Sequence, residues 1–156
     1  MFSSRFILLA SVASALVIAS QAIAAPVIVG SYWDETASGT CGGASLCPAF
    51  FSQVPANKRL VVRRISCNIQ TQYQPRRAVL QLSTTPNAGD TLPRVMPLPI
   101  PYAPPVSPGS VYYTGASLET SWLIGEGRFP YLLVEQNQPG TAGVTCTMIG
   151  DLVDPS

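Results

Sequence analysis

Residues 54–71 constrain the fold more than any other part of the chain. The segment opens with a turn signal at residues 55–58, Pro-Ala-Asn-Lys. It continues from Arg59 to Thr71 with the longest β-branched run found after residue 24, and a cysteine lies on its apolar side. Because β-branched residues favour the extended backbone of a pleated sheet, we expect a central β-strand here.

The expected strand changes phase halfway along. Its first two apolar residues share one parity, and the following three share the other. Strict alternation would place the two groups on opposite faces and would bury Arg63 among apolar neighbours. A β-bulge near Arg63 and Arg64 brings all five to one face, so we predict a bulge there. The five residues are Leu60, Val62, Ile65, Cys67 and Ile69.

The first 24 residues have the pattern of a secretory signal peptide. Arg5 supplies a positive charge, residues 6–19 are apolar, and residues 22–24 have the small-x-small form that signal peptidase cleaves. The apolar run is too short, and too rich in serine and alanine, for a membrane span. We therefore expect a signal peptide at 1–24, one domain at 25–156, no membrane span after cleavage, and a secreted or periplasmic location.

Four cysteines in an exported chain predict two disulfides, for which three pairings are formally possible. We favour Cys41 with Cys47, because the glycine-rich residues between them can close a small loop without strain. Cys67 then pairs with Cys146, and a bridge that closes about 80 residues stabilises a fold by roughly 4.5 kcal/mol. A zinc site is the alternative, but its ligands come in close pairs, which Cys67 and Cys146 lack. We expect no metal and no cofactor.

After residue 24, strand signals dominate and helix signals are nearly absent. Fifteen prolines and twelve glycines interrupt every 3.6-residue apolar stripe before it reaches three turns. Short alternating segments joined by glycine- and proline-rich turns predict an antiparallel β-sandwich, either jelly-roll-like or immunoglobulin-like. In such a fold, the bridge between Cys67 and Cys146 is expected to hold the two layers together.

The turns suggest which strands are neighbours. We expect a first strand at 27–33, a loop at 34–48, and a hairpin between 59–71 and 77–83. Seven prolines lie between residues 93 and 108. Such a stretch cannot donate a full ladder of hydrogen bonds, so we expect an edge strand or a polyproline-like crossing loop.

Several classes of chemistry are excluded by composition. The chain contains no histidine, which excludes Ser-His-Asp and Cys-His nucleophiles and every histidine-based metal site. Eight basic and eight acidic side chains follow residue 24, so no net charge steers the protein toward nucleic acid. Lys58 lies in an expected turn, where the amine of a Ser-Lys dyad would not be desolvated.

Glu119 and Glu135 are the candidate catalytic pair. We expect residues 117–124 and 131–136 to form a hairpin, and a register with Trp122 opposite Leu132 places the two carboxylates opposite each other. Like charges in this arrangement are destabilising, so the pair would need a functional reason. Glycoside hydrolysis and calcium binding are two such reasons. The alternative is that a register slip of two residues, or an intervening arginine, separates the carboxylates.

Aromatic and basic side chains offer two further candidate surfaces. Aromatic rings on a β-sandwich can stack on sugars if they are exposed, whereas Trp122 has the parity of a core residue. The basic residues of 58–77 are expected to spread along two strands, with acidic partners between them, and not to form an anion site. The candidate ligand surface consists of Tyr32, Trp33, Tyr102, Tyr112 and Tyr113.

Three motifs carry a resemblance to known proteins. They are Val-Pro-Ala-Asn-Lys-Arg-Leu-Val-Val at 54–62, Ile-Ser-Cys at 65–67 and Cys-Thr-Met-Ile-Gly at 146–150, and they follow the signal peptide and the small cysteine loop. In this order they resemble a group of small exported bacterial β-sandwich proteins without assigned activity. The resemblance implies a fold and an exported location, and it implies no catalytic residues.

These observations favour an exported, non-enzymatic β-sandwich module that binds glycan or another exported protein through its loops. The first alternative is a small carboxylate-dependent glycoside hydrolase that uses Glu119 and Glu135. The second is a surface-assembly subunit that pairs with other copies through an open sheet edge.

Overall fold

The computed structural model describes residues 25–101 and 111–155, which form β-strands without an α-helix. Every strand pairing among them is antiparallel, so the all-β antiparallel prediction is confirmed. Within the same two ranges, no helix is long and apolar enough to cross a membrane. The signal peptide at 1–24 lies outside the described residues and stays a prediction. The strands are β1 (Val27–Val29), β2 (Tyr32–Phe50), β3 (Arg59–Thr71), β4 (Pro75–Ser83), β5 (Thr91–Leu98), β6 (Tyr112–Ile124) and β7 (Phe129–Val153).

The two longest strands, β2 and β7, run through two regions of the sheet. In the first region, which we name segment 1, residues 32–41 of β2 pair with the second part of β7, giving the strand order β1-β2-β7-β3-β6. In the second region, segment 2, residues 46–50 of β2 pair with the first part of β7, and β4 and β5 follow. The part of β7 in segment 1 is 142–153, and the part in segment 2 is 129–136.

β2 changes direction between the two segments. Its pairing with β7 shifts register on both sides of Ala44, and Gly43 has a φ of 68°. The two parts of the strand approach so closely that a Cβ atom on Gly39 would overlap the carbonyl oxygen of Pro48. Glycine is the residue that tolerates both the close approach and the left-handed backbone. These glycines therefore allow the two parts of β2 to lie against each other.

The bulge predicted in β3 is present. The pairing of β3 with both of its neighbours shifts register between Val62 and Arg64, and all five apolar residues expected to share a face are buried. Gly150 of β7 lies opposite Val62, where a Cβ atom would overlap the carbonyl oxygen of Val61. The bulge is therefore matched by a residue without a side chain on the neighbouring strand.

A continuous apolar core is formed by the inward-facing residues of both segments. Alternate residues of every strand except β1 contribute to it, as expected for a sheet with one buried face. Its largest fully buried members include Trp33, Leu60, Ile65, Leu80, Ile124, Leu132 and Met148.

Both predicted disulfides are present, Cys41–Cys47 and Cys67–Cys146. The role expected for the longer bridge is wrong. Cys67 and Cys146 lie directly opposite each other on the paired strands β3 and β7, so this bridge stays within segment 1. The shorter bridge joins the part of β2 in segment 1 to the part in segment 2, because Cys41 is opposite Ala142 while Cys47 is opposite Val134.

The expected first strand at 27–33 and loop at 34–48 are wrong. A turn at Gly30 and Ser31 divides the first strand into β1 and the start of β2, and Gly30 has the positive φ of 62° that favours glycine. The supposed loop is strand, because its small hydroxyl residues pair across to β7. The Thr36 hydroxyl bonds that of Thr147 at 2.8 Å, an interaction between distant parts of the sequence.

The two expected hairpins are also wrong, because the neighbours of each strand are non-local. Both edges of β3 are occupied, by β6 and β7, so β4 pairs with segment 2 of β7 instead. The turn after β6 does not close a hairpin with β7. Its Gly127 N–H donates to the carbonyl of Val54, and the Val54 N–H donates to the carbonyl of Arg128.

Of the two alternatives for the proline-rich stretch at 93–108, the edge strand is confirmed over residues 93–98. Residues up to Leu98 belong to β5, which among the described residues pairs with β4 alone. An outer strand needs ladder bonds on one side only, which suits a proline-rich sequence. Residues 102–110 of this stretch lie outside the described ranges.

Candidate ligand-binding face

The outer face of segment 1 contains a region without charged side chains. Directly paired residues on β2, β7, β3 and β6 form rows across the four strands, and three successive rows present hydroxyl, amide or glycine positions. Charged side chains begin in the next row, at Asp34, Arg64 and Glu119. The uncharged rows are Thr40, Gly143, Gln70 and Tyr113; then Ser38, Thr145, Asn68 and Gly115; then Thr36, Thr147, Ser66 and Ser117.

A groove of about 490 Å³ lies over the first two of these rows, and we name it the first trough. Gly143 and Gly115 form low points in it, because neither has a side chain. A Cβ atom on Gly143 would meet nothing within 4 Å, so the space above it is open. Tyr113, at one end of its row, is 55% exposed and offers a large aromatic side chain beside the trough.

A second trough, of about 460 Å³, continues from the first toward the end of β3 and the middle of β7. The two share Thr40, Gln70 and Gly143, so they are contiguous. The second trough is also lined by Gln72 and Thr141, and the side-chain carbonyl of Gln72 accepts the Thr141 N–H at 3.0 Å.

The lining of both troughs determines what they can bind. Hydroxyl and amide groups donate and accept hydrogen bonds, and none of the lining residues is acidic or basic. A cleft with aromatic surface and a few polar groups is typical of small-ligand sites. These residues can therefore hold an uncharged ligand rich in hydroxyl groups.

Of the five aromatic residues expected to form a ligand surface, Tyr113 lies in the first trough. Trp33 does not belong to any surface, since it is 1% exposed and its indole N–H has no hydrogen-bond partner. Trp33 is inward because residue 33 belongs to β2, in the same phase as the buried Glu35 and Ala37.

The other tyrosines do not join Tyr113. Tyr32 is exposed, but it pairs with Asp151, eight residues along β7 from Gly143, or about 26 Å. Tyr112 is half-buried and lies opposite Thr71, whose side chain faces the core. Tyr102 lies outside the described residues.

The register that placed Glu119 opposite Glu135 is wrong. Glu119 of β6 pairs with Arg64 of β3. Glu135 of β7 lies in segment 2, where it forms ion pairs with Arg77 at 2.7 Å and Arg76 at 3.6 Å. The carboxylates therefore do not form the facing pair on which the hydrolase hypothesis depended.

Acidic partners are present for Lys58, Arg63, Arg76 and Arg77, as the sequence indicated. Lys58 bonds Asp154 at 2.6 Å and Arg63 bonds Asp151 at 2.8 Å, in addition to the pairs made by Glu135. These ion pairs are spread over both segments. They are exposed, so each contributes little to stability.

Glu35 is a buried acid that sequence reasoning missed. It is 2% exposed, and its Oε1 accepts the Ser52 N–H at 2.8 Å and the Ser52 hydroxyl at 2.7 Å. Its Oε2 has no partner. Burial raises the pKa of Glu35, and the hydrogen bonds from Ser52 oppose this shift. The signal that could have found it is the period of two that it shares with Trp33 and Ala37.

Sequence reasoning also missed the groove, although three strands carry its signal. Hydroxyl or amide residues alternate with apolar or small residues at 36–40, 66–70 and 145–147. Recognising one polar face would have required the knowledge that these three strands are neighbours.

No protein-family model, curated protein or solved structure matches the chain.

Proposed function

We propose that this protein is an exported, non-enzymatic binding module that holds an uncharged glycan in the first trough, against Tyr113. The observation that carries the proposal is an exposed tyrosine beside a groove lined by hydroxyl, amide and glycine residues, with no charged side chain among them. Binding is assigned to the sheet face, and not to loops, because the groove lies on that face. The two disulfides are in keeping with a secreted or periplasmic location.

The chemistry of a neutral sugar suits this lining. The C–H face of a pyranose ring is apolar and can pack on an aromatic side chain, while its hydroxyl groups need donors and acceptors at the sides. Tyr113 supplies the ring, Gln70 supplies an amide group in the same row, and Asn68 supplies one in the next row. The low floor at Gly115 and Gly143 leaves room for the ligand to approach the backbone.

We further infer that the two segments form the layers of a β-sandwich. The guanidinium of Arg94, on β5 of segment 2, lies 4.7 Å from the ring centre of Trp122, on β6 of segment 1. The overlap predicted for a side chain at Gly39 with Pro48 supports the same stacking near the bend of β2. Such a scaffold holds the groove on a rigid sheet, which limits the entropy lost on binding.

A glycan array that contains neutral and acidic glycans, probed with the mature protein, tests the function. We expect binding to neutral glycans and at least a tenfold loss of affinity for Tyr113→Ala. Tyr32→Ala is the matched control, because Tyr32 is also exposed but lies outside the groove. Absence of binding, binding to acidic glycans alone, or equal losses for the two variants would contradict the proposal.

A second candidate function is assembly through a sheet edge, which β1 favours. All three residues of this outer strand, Val27, Ile28 and Val29, are exposed, and contiguous exposed β-branched residues on an edge promote strand pairing between copies. Light scattering of the mature protein tests this candidate. Oligomers that dissociate in Ile28→Lys would support it, and a monomer at high concentration would exclude it.

The glycoside-hydrolase alternative has less support than either candidate. Glu119 and Glu135 have separate strand partners, and Glu135 is engaged by two arginines. A retaining mechanism needs two carboxyl groups about 5 Å apart across one substrate. The groove itself contributes no carboxylate.

A further inference from the structure

The two troughs form one channel that runs along the strands. On β7, the channel extends from Thr145 in the first trough, over the shared Gly143, to Thr141 in the second. This is a path of four residues, or about 13 Å at the rise of a β-strand. A single sugar ring would occupy only part of this length.

The shape of the channel indicates an extended ligand. Its floor is the outer face of the sheet. The floor is low at Gly143, where the two troughs meet, because glycine has no side chain. A branched ligand would meet the side chains of Thr40 on one side and Gln70 on the other. An unbranched chain could pass between them.

Building on the proposed function, we propose that the ligand is an unbranched, neutral, β-linked oligosaccharide that lies parallel to the strands and crosses Gly143. β-1,4-linked glucose and N-acetylglucosamine chains are flat, extended ribbons, which matches a straight channel on a sheet. The first ring lies in the first trough, over the row of Ser38, Thr145, Asn68 and Gly115, where Tyr113 of the neighbouring row borders it. The next rings lie in the second trough, over Gln72 and Thr141.

The second trough offers groups for these further rings. The side-chain carbonyl of Gln72 is used by the Thr141 N–H, which fixes the amide and leaves its NH₂ group as a donor. Thr141 is exposed and carries a hydroxyl that can donate or accept. Affinity should therefore increase with chain length until both troughs are filled.

Calorimetric titration with glucose and the cello-oligosaccharides from two to six units tests the proposal. For the native protein, we expect the affinity to rise at least tenfold from the disaccharide to the tetrasaccharide and then to level off. Binding of short and long chains with equal affinity would overturn the channel but leave the proposed function intact. Failure of every member to bind, together with a negative neutral-glycan array, would overturn both.

Substitutions at Gly143 locate the crossing point. Gly143→Val should remove the increase with chain length, because the new side chain blocks the junction, and Gly143→Ala should reduce it. A Cβ atom at Gly143 meets no protein atom within 4 Å, so both variants are expected to fold, and valine favours a strand. Gly42→Ala is the control, since its Cβ also has open space but lies outside both troughs. A full increase with chain length in both Gly143 variants would overturn the proposal.

Discussion

The two disulfides contrast in how far apart their cysteines lie in the sequence and in which regions of the fold they join. Cys67–Cys146 spans 79 residues, yet it joins facing residues of two paired strands in segment 1. Cys41–Cys47 spans only six, yet it connects the parts of β2 that belong to segments 1 and 2. The long bridge therefore reinforces one sheet region, and the short bridge reinforces the junction of two. Sequence separation measures the entropy removed from the unfolded chain, and it says nothing about which parts of the fold are tied.

The largest effect is expected from removing the long bridge. Cys67→Ala with Cys146→Ala restores the freedom of a 79-residue loop, and the chain-entropy model gives a loss of about 4.5 kcal/mol in the free energy of unfolding. Denaturant unfolding of the variant and the native protein measures this loss. A loss below that of the short-bridge variant would reverse the comparison.

The second-largest loss of stability is expected at Gly39, where the two parts of β2 that the short bridge joins approach each other closely. In Gly39→Ala the new methyl group would overlap the backbone of Pro48, and overpacking of this kind costs about 3 kcal/mol. Thermal and denaturant unfolding measure the change. Gly42→Ala, on the same strand but with open space around its Cβ, should change stability by much less. Equal stability of the two variants would show that the parts of β2 do not lie against each other.

Removal of the short bridge should have a smaller but more localised effect. Cys41→Ala with Cys47→Ala frees a six-residue loop, for which the same model gives about 2 kcal/mol. Hydrogen exchange should show lost protection at 46–50 and 131–135, with little change in the middle of β3. Uniform loss of protection would indicate that the bridge does not act at the junction.

Glu35, in the segment 1 part of β2, accepts two hydrogen bonds from Ser52, which follows the segment 2 part, so these bonds also link the two parts. The contribution of Glu35 to the free energy of unfolding depends on pH. Burial raises its pKa, so between the unfolded and folded pKa values the folded state binds more protons. The free energy of unfolding contributed by this group therefore falls as pH rises through that range. Glu35→Gln keeps an acceptor for Ser52 and removes the titration, so its stability should decline less with rising pH.

Denaturant unfolding from pH 4 to pH 8 measures the difference between Glu35→Gln and the native protein. The variant should gain relative stability toward neutral pH, where the native carboxyl must ionise in a buried site. Asp34→Asn, at the neighbouring position on the opposite face, is the control. Parallel pH profiles for the native protein and Glu35→Gln would contradict the account.

Local patterns predicted much of the inner face. The phase break in β3 predicted its bulge, because the parity of apolar residues directly reports which face of a strand is buried. The cysteine spacing favoured both pairings, and the prolines predicted either an edge strand or a crossing loop, of which β5 is the edge strand. The same reasoning failed for residues 34–48, because small hydroxyl residues form a strand only when a partner such as β7 is available.

The sequence by itself determined the all-β class and the inward face of the central strand, because each depends on a residue's type and its near neighbours. The small loop at Cys41–Cys47 is local in the same way, and the Cys67–Cys146 pair then followed by elimination. Only the tertiary structure decided that β6 and β7 both flank β3, and hence that Glu119 meets Arg64 while Tyr113 joins Gln70 and Gly143 in one row. Strand neighbours are set by which edges remain free after the chain has collapsed, a non-local outcome that a period of two cannot encode.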